Sequence, residues 1–306
     1  MTSDTMPAAP APQLRPLGVG DIVDRVFNVY RAKPGLFLAL STIPYLVLVL
    51  VLFAVGVAFA ATFVAYAATF NQIARGVTPS SSAIAGLLGG FIAVALVVVI
   101  IAIIVVSAQS AALVAAMASR YLGRDITVGQ AFRQGLGAAP RLIGASLLLF
   151  LLLLAFWAVC IVIAVVANQA LLAALLALVA IVGTFYIVAS TLVMPVVATL
   201  EGAGPIAALR RSWALSSGNR WRILGLQLLL TILNLVVSSL LTAVFVTTLI
   251  SDPTTRVVLQ QVVSIAANVV WSPVQWGTFA ILYYDLRVRR EGYDLQLAAE
   301  ALPRAP

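Results

Sequence analysis

Residues 142–200 read LIGASLLLFLLLLAFWAVCIVIAVVANQALLAALLALVAIVGTFYIVASTLVMPVVATL, a run without a single Asp, Glu, Lys or Arg. A helix needs about 20 apolar residues to cross the hydrocarbon core of a bilayer. The run is therefore long enough for two such helices, and its only neighbouring amide side chains are Asn168 and Gln169. We predict two membrane-spanning helices joined by a tight turn at these two residues.

Similar charge-free runs make up most of the chain. Four others are long enough to cross a membrane once each, namely residues 34–73, 76–119, 223–251 and 257–284. The sequence is 63% hydrophobic and 9% charged, with a mean hydropathy of +1.11, whereas about a quarter of a soluble domain is charged. These features predict an all-α fold, a polytopic membrane helical bundle with six transmembrane helices.

The distribution of basic residues predicts how the chain is oriented. Six spans leave seven segments outside the membrane core, and these contain 4, 1, 4, 0, 4, 1 and 4 Lys or Arg residues from the N- to the C-terminus. Cytoplasmic segments of membrane proteins carry the excess of Lys and Arg. We therefore expect both termini to be cytoplasmic. The Ala-, Leu- and Arg-rich composition favours the plasma membrane of a GC-rich bacterium as the location.

Three similar segments precede pairs of spans. They are residues 17–31 (LGVGDIVDRVFNVYR), 126–136 (ITVGQAFRQGL) and 202–215 (GAGPIAALRRSWAL), and each has an amphipathic helical pattern after a glycine. We predict three tandem units, each a short interfacial amphipathic helix followed by a membrane hairpin. The alternative is that any cytoplasmic loop contains such sequence. The predicted segments are a disordered tail (1–16), units of about 17–120, 121–201 and 202–297, and a C-terminal tail (298–306).

Local signals mark where the short helices begin. Gly20 is expected to open the first of them. Thr127 and Gln130 have the spacing of a capping box at the start of the second. Pro205 suits the first helical position of the third.

Uncharged polar residues form a stripe along each of the last two spans. Their spacings of 3 or 4 residues place them on one helix face, and lipid cannot satisfy an amide, so each stripe should face protein or water. The stripes favour hydrogen bonding between helices, with a lined cavity as the alternative. The stripe residues are Gln227, Thr231, Asn234, Ser238 and Thr242 in the fifth span, and Gln261, Ser264, Asn268, Ser272 and Gln275 in the sixth.

Aromatic and basic residues cluster before the fifth span. This combination is typical of the lipid headgroup region and predicts contact with anionic headgroups. Because the basic residues follow the membrane topology, four to a segment, nucleic acid is not an expected partner. The candidate headgroup contacts are Arg210, Arg211, Trp213, Arg220, Trp221 and Arg222.

The sequence argues against catalysis. It contains no His, the commonest general base and metal ligand, and no charged residue within any predicted span. Its one cysteine, Cys160, lies in an apolar run and reads as a small apolar filler. We expect no catalytic residues, no metal site and no cofactor.

Three stretches carry a family resemblance. Residues 17–31, residues 200–225 (LEGAGPIAALRRSWALSSGNRWRILG) and residues 283–297 (YYDLRVRREGYDLQL) resemble bacterial proteins with the membrane domain of the glycerophosphoryl diester phosphodiesterase family. The resemblance covers the membrane part only. In fused members of that family catalysis belongs to a separate soluble barrel, so the resemblance implies no phosphodiesterase activity here.

Two functions are consistent with these features. The leading hypothesis is a non-catalytic membrane protein that acts as a scaffold, regulator or subunit together with membrane lipids or a partner membrane protein. The alternative is a transporter or lipid-handling permease with a polar cavity near the fifth and sixth spans. An intramembrane enzyme is the least favoured, because the spans offer only hydroxyls and amides.

Overall fold

A computed structural model describes residues 15–247 and 252–296. All secondary structure in these residues is helical, and a π-helical turn at Ala243–Thr247 follows the ninth helix. The predicted tails, apart from residues 15 and 16, and the last four residues of the predicted fifth span lie outside the described residues. The helices are α1 (Val19–Ala32), α2 (Pro34–Ala65), α3 (Ala67–Ala74), α4 (Ser81–Tyr121), α5 (Val128–Ala167), α6 (Ala170–Thr191), α7 (Met194–Leu200), α8 (Pro205–Ser216), α9 (Arg220–Thr242) and α10 (Pro253–Glu291).

Six helical segments of the described chain are long and apolar enough to cross a membrane, which confirms the predicted number. Large apolar side chains along them face outwards: Leu50, Phe53 and Val166 are 69%, 73% and 79% exposed. Such a surface is stable in lipid but not in water. The structure is that of a membrane-embedded helical protein.

The turn between the third and fourth spans lies where the sequence predicts it. α5 ends at Ala167 and α6 begins at Ala170, so Asn168 and Gln169 alone join them. Asn168 has φ 48° and ψ 37°, in the left-handed region that Asn adopts more readily than most residues. This conformation reverses the chain within two residues.

The predicted helix starts are met in part. The Thr127 hydroxyl accepts from the Gln130 N–H and the Gln130 side chain accepts from the Thr127 N–H, which confirms the capping box. α8 begins at Pro205, as predicted. α1 begins at Val19, one residue before the predicted Gly20, with Gly18 as its N-cap, because the Asp21 carboxylate accepts the Gly18 N–H at 3.0 Å.

The second predicted amphipathic helix is not a separate element, which corrects the prediction for that unit. Residues 128–136 are the first part of α5, which continues without a break to Ala167. Pro140 lies inside this helix but does not end it. α1 and α8 are separate from the spans that follow them, so the arrangement differs from one unit to the next.

Four basic segments meet at one end of the bundle, here called the basic end. They are joined by the Lys33–Asp125 ion pair, the hydrogen bond from the Leu17 N–H to Asp285 and the Arg222–Asp285 ion pair. The buried core lies in the adjacent halves of the spans. Its buried side chains include most of those in residues 107–118 of α4 and 272–288 of α10, and one face of residues 131–145 of α5 and 223–230 of α9.

Small residues allow the helices of this core to approach closely. A methyl group added at Gly135 of α5 would lie 2.7 Å from the backbone nitrogen of Ala112 in α4. Gly135 and Ala112 are both buried. Packing of this kind holds membrane helices together by van der Waals contact, because lipid supplies no hydrophobic drive between helices.

Candidate functional site

A polar cavity of about 280 Å³ lies where the packed core ends. Thr231 is on its wall, eleven residues after Arg220 at the start of α9, which is about 16 Å along the helix. The cavity is therefore deep within the span. Its walls come from α2, α4, α9 and α10, and are formed by Tyr45, Val106, Gln109, Thr231, Asn234, Asn268, Trp271, Ser272, Gln275 and Trp276.

One wall of the cavity is a buried chain of hydrogen bonds across three helices. Gln109 Nε2 of α4 donates to Ser272 Oγ of α10 at 3.2 Å, and Ser272 Oγ donates to Ser41 Oγ of α2 at 2.9 Å. Ser41 in turn donates to the Phe37 carbonyl at 3.0 Å. The side chains of Gln109, Ser272 and Ser41 are all buried, so these hydrogen bonds stabilise the contact between α2, α4 and α10.

A second set of bonds joins α9 to α10. Gln275 Nε2 donates to Gln227 Oε1 at 3.0 Å, and Gln227 Nε2 donates to Thr231 Oγ1 at 3.3 Å. The interhelical bonding predicted from the stripes is therefore present at Gln227 and Gln275. Thr231 also donates to the Gln227 carbonyl of its own helix, so its single O–H donor is used.

Two asparagines of the cavity take no part in bonding between helices. Asn268 Nδ2 donates to the Ser264 carbonyl one turn earlier in α10. Asn234 is half-buried, and its side chain has no hydrogen-bond partner among residues 15–247 and 252–296. The amide of Asn234 and the carbonyl oxygen of Asn268 are thus available to a bound molecule.

The structure brings most of the two stripes together and separates the rest. Thr231, Asn234, Asn268, Ser272 and Gln275 line the polar cavity, and Gln227 bonds to Gln275 beside it. Gln261 is exposed and lies outside the cavity. Ser238 and Thr242 line a separate groove of about 350 Å³ with Ser239, Ala243 and Gln260, further along the same two helices.

Sequence reasoning missed the two polar residues that α2 and α4 contribute to the cavity, Tyr45 and Gln109. Both lie outside the last two spans, to which the predicted stripes belong. Gln109 had one available signal: an amide in the middle of a membrane span requires a hydrogen-bond partner.

An apolar groove of about 430 Å³ adjoins the polar cavity. Its walls are the outward-facing side chains of α9 and α10, including Val237, Leu241 and Val270. Trp271 lines both the polar cavity and this groove. A molecule with a polar group and a hydrocarbon chain could therefore occupy both at once.

Two of the predicted headgroup contacts are bonded to carboxylates instead. Arg222 Nη1 lies 2.6 Å from the Asp285 carboxylate, whose side chain is fully buried. Arg211 pairs with Glu201 at 3.2 Å and with Glu291, and the hydrogen bond that Arg211 donates to Glu291 raises the pKa of its guanidinium. Both arginines are therefore neutralised within the protein.

Asp285 organises the basic end. Its carboxylate accepts hydrogen bonds from the Leu17 N–H at 2.7 Å, from Arg222 at 2.6 Å and from Arg289 at 3.1 Å. Arg222 and Arg289 also donate to the Leu17 carbonyl, at 2.6 and 2.8 Å. These bonds join the segment before α1 to the start of α9 and the end of α10.

The other four predicted contacts, two arginines and two tryptophans, form no ion pair with a carboxylate of the described residues. Arg220 Nε donates to Ser190 Oγ at 2.8 Å, and its guanidinium packs against the rings of Tyr186 and Trp213. Trp221 is 87% exposed. Arg210 and Trp213 are also exposed, and no carboxylate of the described part of the chain pairs with Arg210 or Arg220.

The chemistry of the polar cavity is limited to hydrogen bonding. No Asp, Glu, Lys or Arg of the described residues lines it. In that same part of the chain, no group of three or more Cys, Asp or Glu side chains could hold a metal ion. Cys160 is buried, in keeping with its reading as an apolar filler.

Comparison with known proteins identifies one family. The profile described as Domain of unknown function (DUF7847) matches residues 102–286, more than half of the chain, and covers the cavity walls from α4, α9 and α10. No curated protein and no solved structure matches the chain. The match gives no link to the glycerophosphoryl diester phosphodiesterase membrane domain, so that resemblance stays a prediction. The chain belongs to the family defined by the domain of unknown function DUF7847.

Proposed function

We propose that this protein is a non-catalytic membrane protein that binds a lipid through the polar cavity and the adjoining apolar groove. In this function it acts as a scaffold, regulator or subunit in a bacterial plasma membrane, with both termini in the cytoplasm. The observation that carries the proposal is the shared wall at Trp271, which places uncharged hydrogen-bonding groups next to a groove for a hydrocarbon chain.

The unpaired groups of the cavity support a bound polar ligand. An amide in a membrane interior that lacks a hydrogen-bond partner costs several kcal/mol. Asn234 is such an amide within the described chain. A hydroxyl or ester group of a lipid that reached the cavity would satisfy it and would leave the interhelical bonds of Gln275 and Gln109 unchanged.

The size and charge of the site indicate which lipid groups fit. About 280 Å³ is close to the lower limit of ligand pockets, which is about 300 Å³. The cavity therefore suits a glycerol-sized group better than a large headgroup. Because no charged side chain of the described residues lines the cavity, it favours an uncharged polar group.

A permease for a polar solute or lipid is the second candidate. The observation that favours it is the groove of Ser238, Ser239, Thr242 and Gln260, which continues the polar surface of α9 and α10 towards the end opposite the basic end. A transport route would need a continuous polar path between this groove and the cavity. A flux assay in proteoliposomes would separate the two candidates, since lipid binding alone requires no flux.

Replacing Asn234 and Asn268 together with Leu is expected to remove a bound lipid without loss of stability. Neither side chain bonds to another helix, and the added apolar volume fills the cavity. Native mass spectrometry of the purified protein would measure the bound lipid, and thermal unfolding in the same detergent would measure stability.

The matched control is the double substitution Gln227→Leu and Gln275→Leu. It removes the bond between α9 and α10, so we expect a loss of about 0.6–2 kcal/mol of stability. A wild-type protein without bound lipid, together with equal destabilisation by both double variants, would show that the polar groups only hold helices together.

The proposed orientation predicts which introduced cysteines react from outside the cell. In a Cys160→Ala background, Arg75→Cys should react with a membrane-impermeant maleimide in intact cells. Arg124→Cys and Arg210→Cys, both exposed at the basic end, should react only after the membrane is opened. Labelling of Arg75→Cys and Arg124→Cys from the same side would contradict the six-span topology.

A further inference from the structure

Arg220 is held in a fixed orientation without a partner of opposite charge. Its guanidinium carbon lies 4.6 Å from the ring centre of Tyr186 and 5.2 Å from that of Trp213. Its Nε is used by Ser190 Oγ at 2.8 Å. These contacts orient the guanidinium plane, and its two terminal nitrogens keep four N–H donors. No carboxylate of the described residues pairs with them.

Arg220 lines an apolar groove of about 480 Å³ between α6 and α9, here called the Arg220 groove. Val182 and Phe185 of α6 line it and are 58% and 59% exposed. Leu224 and the exposed Trp221 of α9 also line it. The groove thus combines a cation with an apolar surface on a membrane span. A phospholipid has the matching arrangement of a phosphate next to an acyl chain.

Two neighbouring arginines are already paired with carboxylates, which leaves Arg220 as the arginine of the groove that can bind an anion. Arg222 is neutralised by Asp285, and Arg211 by Glu201 and Glu291. Arg220 is also the first residue of α9, where the partial positive charge of the helix terminus adds to that of the guanidinium. An anion in the Arg220 groove would therefore face two positive sources and no carboxylate of the described residues that line it.

We propose that the Arg220 groove binds an anionic phospholipid. The phosphate accepts two hydrogen bonds from the terminal nitrogens of Arg220, a geometry that a planar guanidinium favours. One acyl chain lies against Phe185 and Leu224. A phospholipid fits better than free phosphate, because most of the groove surface is apolar. This site shares no residue with the polar cavity and is independent of the function proposed for it.

The full chain in a neutral detergent allows a direct test with defined probes. Phosphatidylglycerol, phosphatidylcholine and inorganic phosphate are titrated separately, and the shift of the thermal unfolding midpoint gives an apparent Kd for each. The variant Arg220→Gln removes the charge, and Arg210→Gln is the matched control, because Arg210 is exposed but lies outside the groove. Phe185→Ala shortens the apolar wall and leaves Arg220 unchanged.

We expect phosphatidylglycerol to raise the midpoint of the wild type, and Arg220→Gln to weaken its binding roughly tenfold or more, as for the loss of a charge-assisted hydrogen bond. Arg210→Gln should bind like the wild type, and Phe185→Ala should bind several-fold more weakly. If Arg220→Gln does not fold, the apparent Kd of Phe185→Ala for phosphatidylglycerol tests the proposal instead. Equal binding of phosphatidylglycerol and phosphatidylcholine, an equal shift with inorganic phosphate, or unchanged binding by Phe185→Ala would overturn the proposal.

Discussion

Asp285→Asn is expected to lower the free energy of unfolding by about 3 kcal/mol, one of the two largest effects that we predict for a single substitution. The side chain of Asp285 is fully buried and accepts bonds from the Leu17 N–H, Arg222 and Arg289. Removing one partner of a buried ion pair costs about 3–5 kcal/mol, because the remaining charge loses its counter-ion. Arg222 and Arg289 are 20% and 34% exposed, and water can solvate them in part. The lower end of that range therefore applies.

The matched control for this prediction is Asp125→Asn. Asp125 also pairs with two basic residues at the basic end, Lys33 and Arg120, but its side chain is 82% exposed. Exposed pairs contribute about 0–1 kcal/mol. Reversible unfolding of both variants in one detergent would compare the two effects. Equal stability of Asp285→Asn and Asp125→Asn would mean that the Asp285 cluster does not hold the basic end together.

The number of candidate spans and the turn between the third and fourth follow from sequence because they depend on local features. A charge-free run must lie in lipid whatever its neighbours are, and an amide pair such as Asn168–Gln169 is unfavourable inside it, which places the turn. The Thr127 capping box and the proline at the start of α8 are set by residues three or fewer apart. Each of these predictions uses only the chemistry of neighbouring residues.

The cavity could be predicted only in part, because a stripe shows which face of a helix is polar but not which helix it faces. The stripes indicated Asn234 and Asn268, both of which line the cavity in the structure. They also included Gln261, which is exposed near the start of α10. Gln109 on α4 lies 163 residues from Ser272 in sequence, and no local pattern connects the two.

The basic cluster before α9 illustrates the same limit for charge. Arg220 and Arg222 are two residues apart and were grouped together as headgroup contacts. In the structure Arg222 bonds to Asp285, 63 residues away, whereas Arg220 packs between two aromatic rings. The sequence shows how many charges a segment has, and the tertiary fold decides which of them are neutralised.

Gly135→Ala is expected to be the other strongly destabilising substitution, by about 1–3 kcal/mol, although it adds only one methyl group. That methyl would lie 2.7 Å from the backbone nitrogen and 2.9 Å from the Cα of Ala112. Backbone atoms in the middle of α4 cannot move as the end of a flexible side chain can, so α4 and α5 must separate. Overpacking of a well-packed core costs about this much, and every contact of the small-residue interface between these helices is weakened as they separate.

Gly137→Ala provides the control in the same helix, two residues further on. A methyl group there has nothing within 4 Å, and alanine favours helix over glycine by up to about 1 kcal/mol. We therefore expect Gly137→Ala to be neutral or slightly stabilising, so that only Gly135→Ala lowers the unfolding midpoint. The comparison separates helix propensity, which both substitutions improve, from the close approach of α4 and α5, which only Gly135→Ala disturbs. A stable Gly135→Ala variant would mean that the two helices pack less closely at this position, and that the core of the basic end depends on its ion pairs and hydrogen bonds instead.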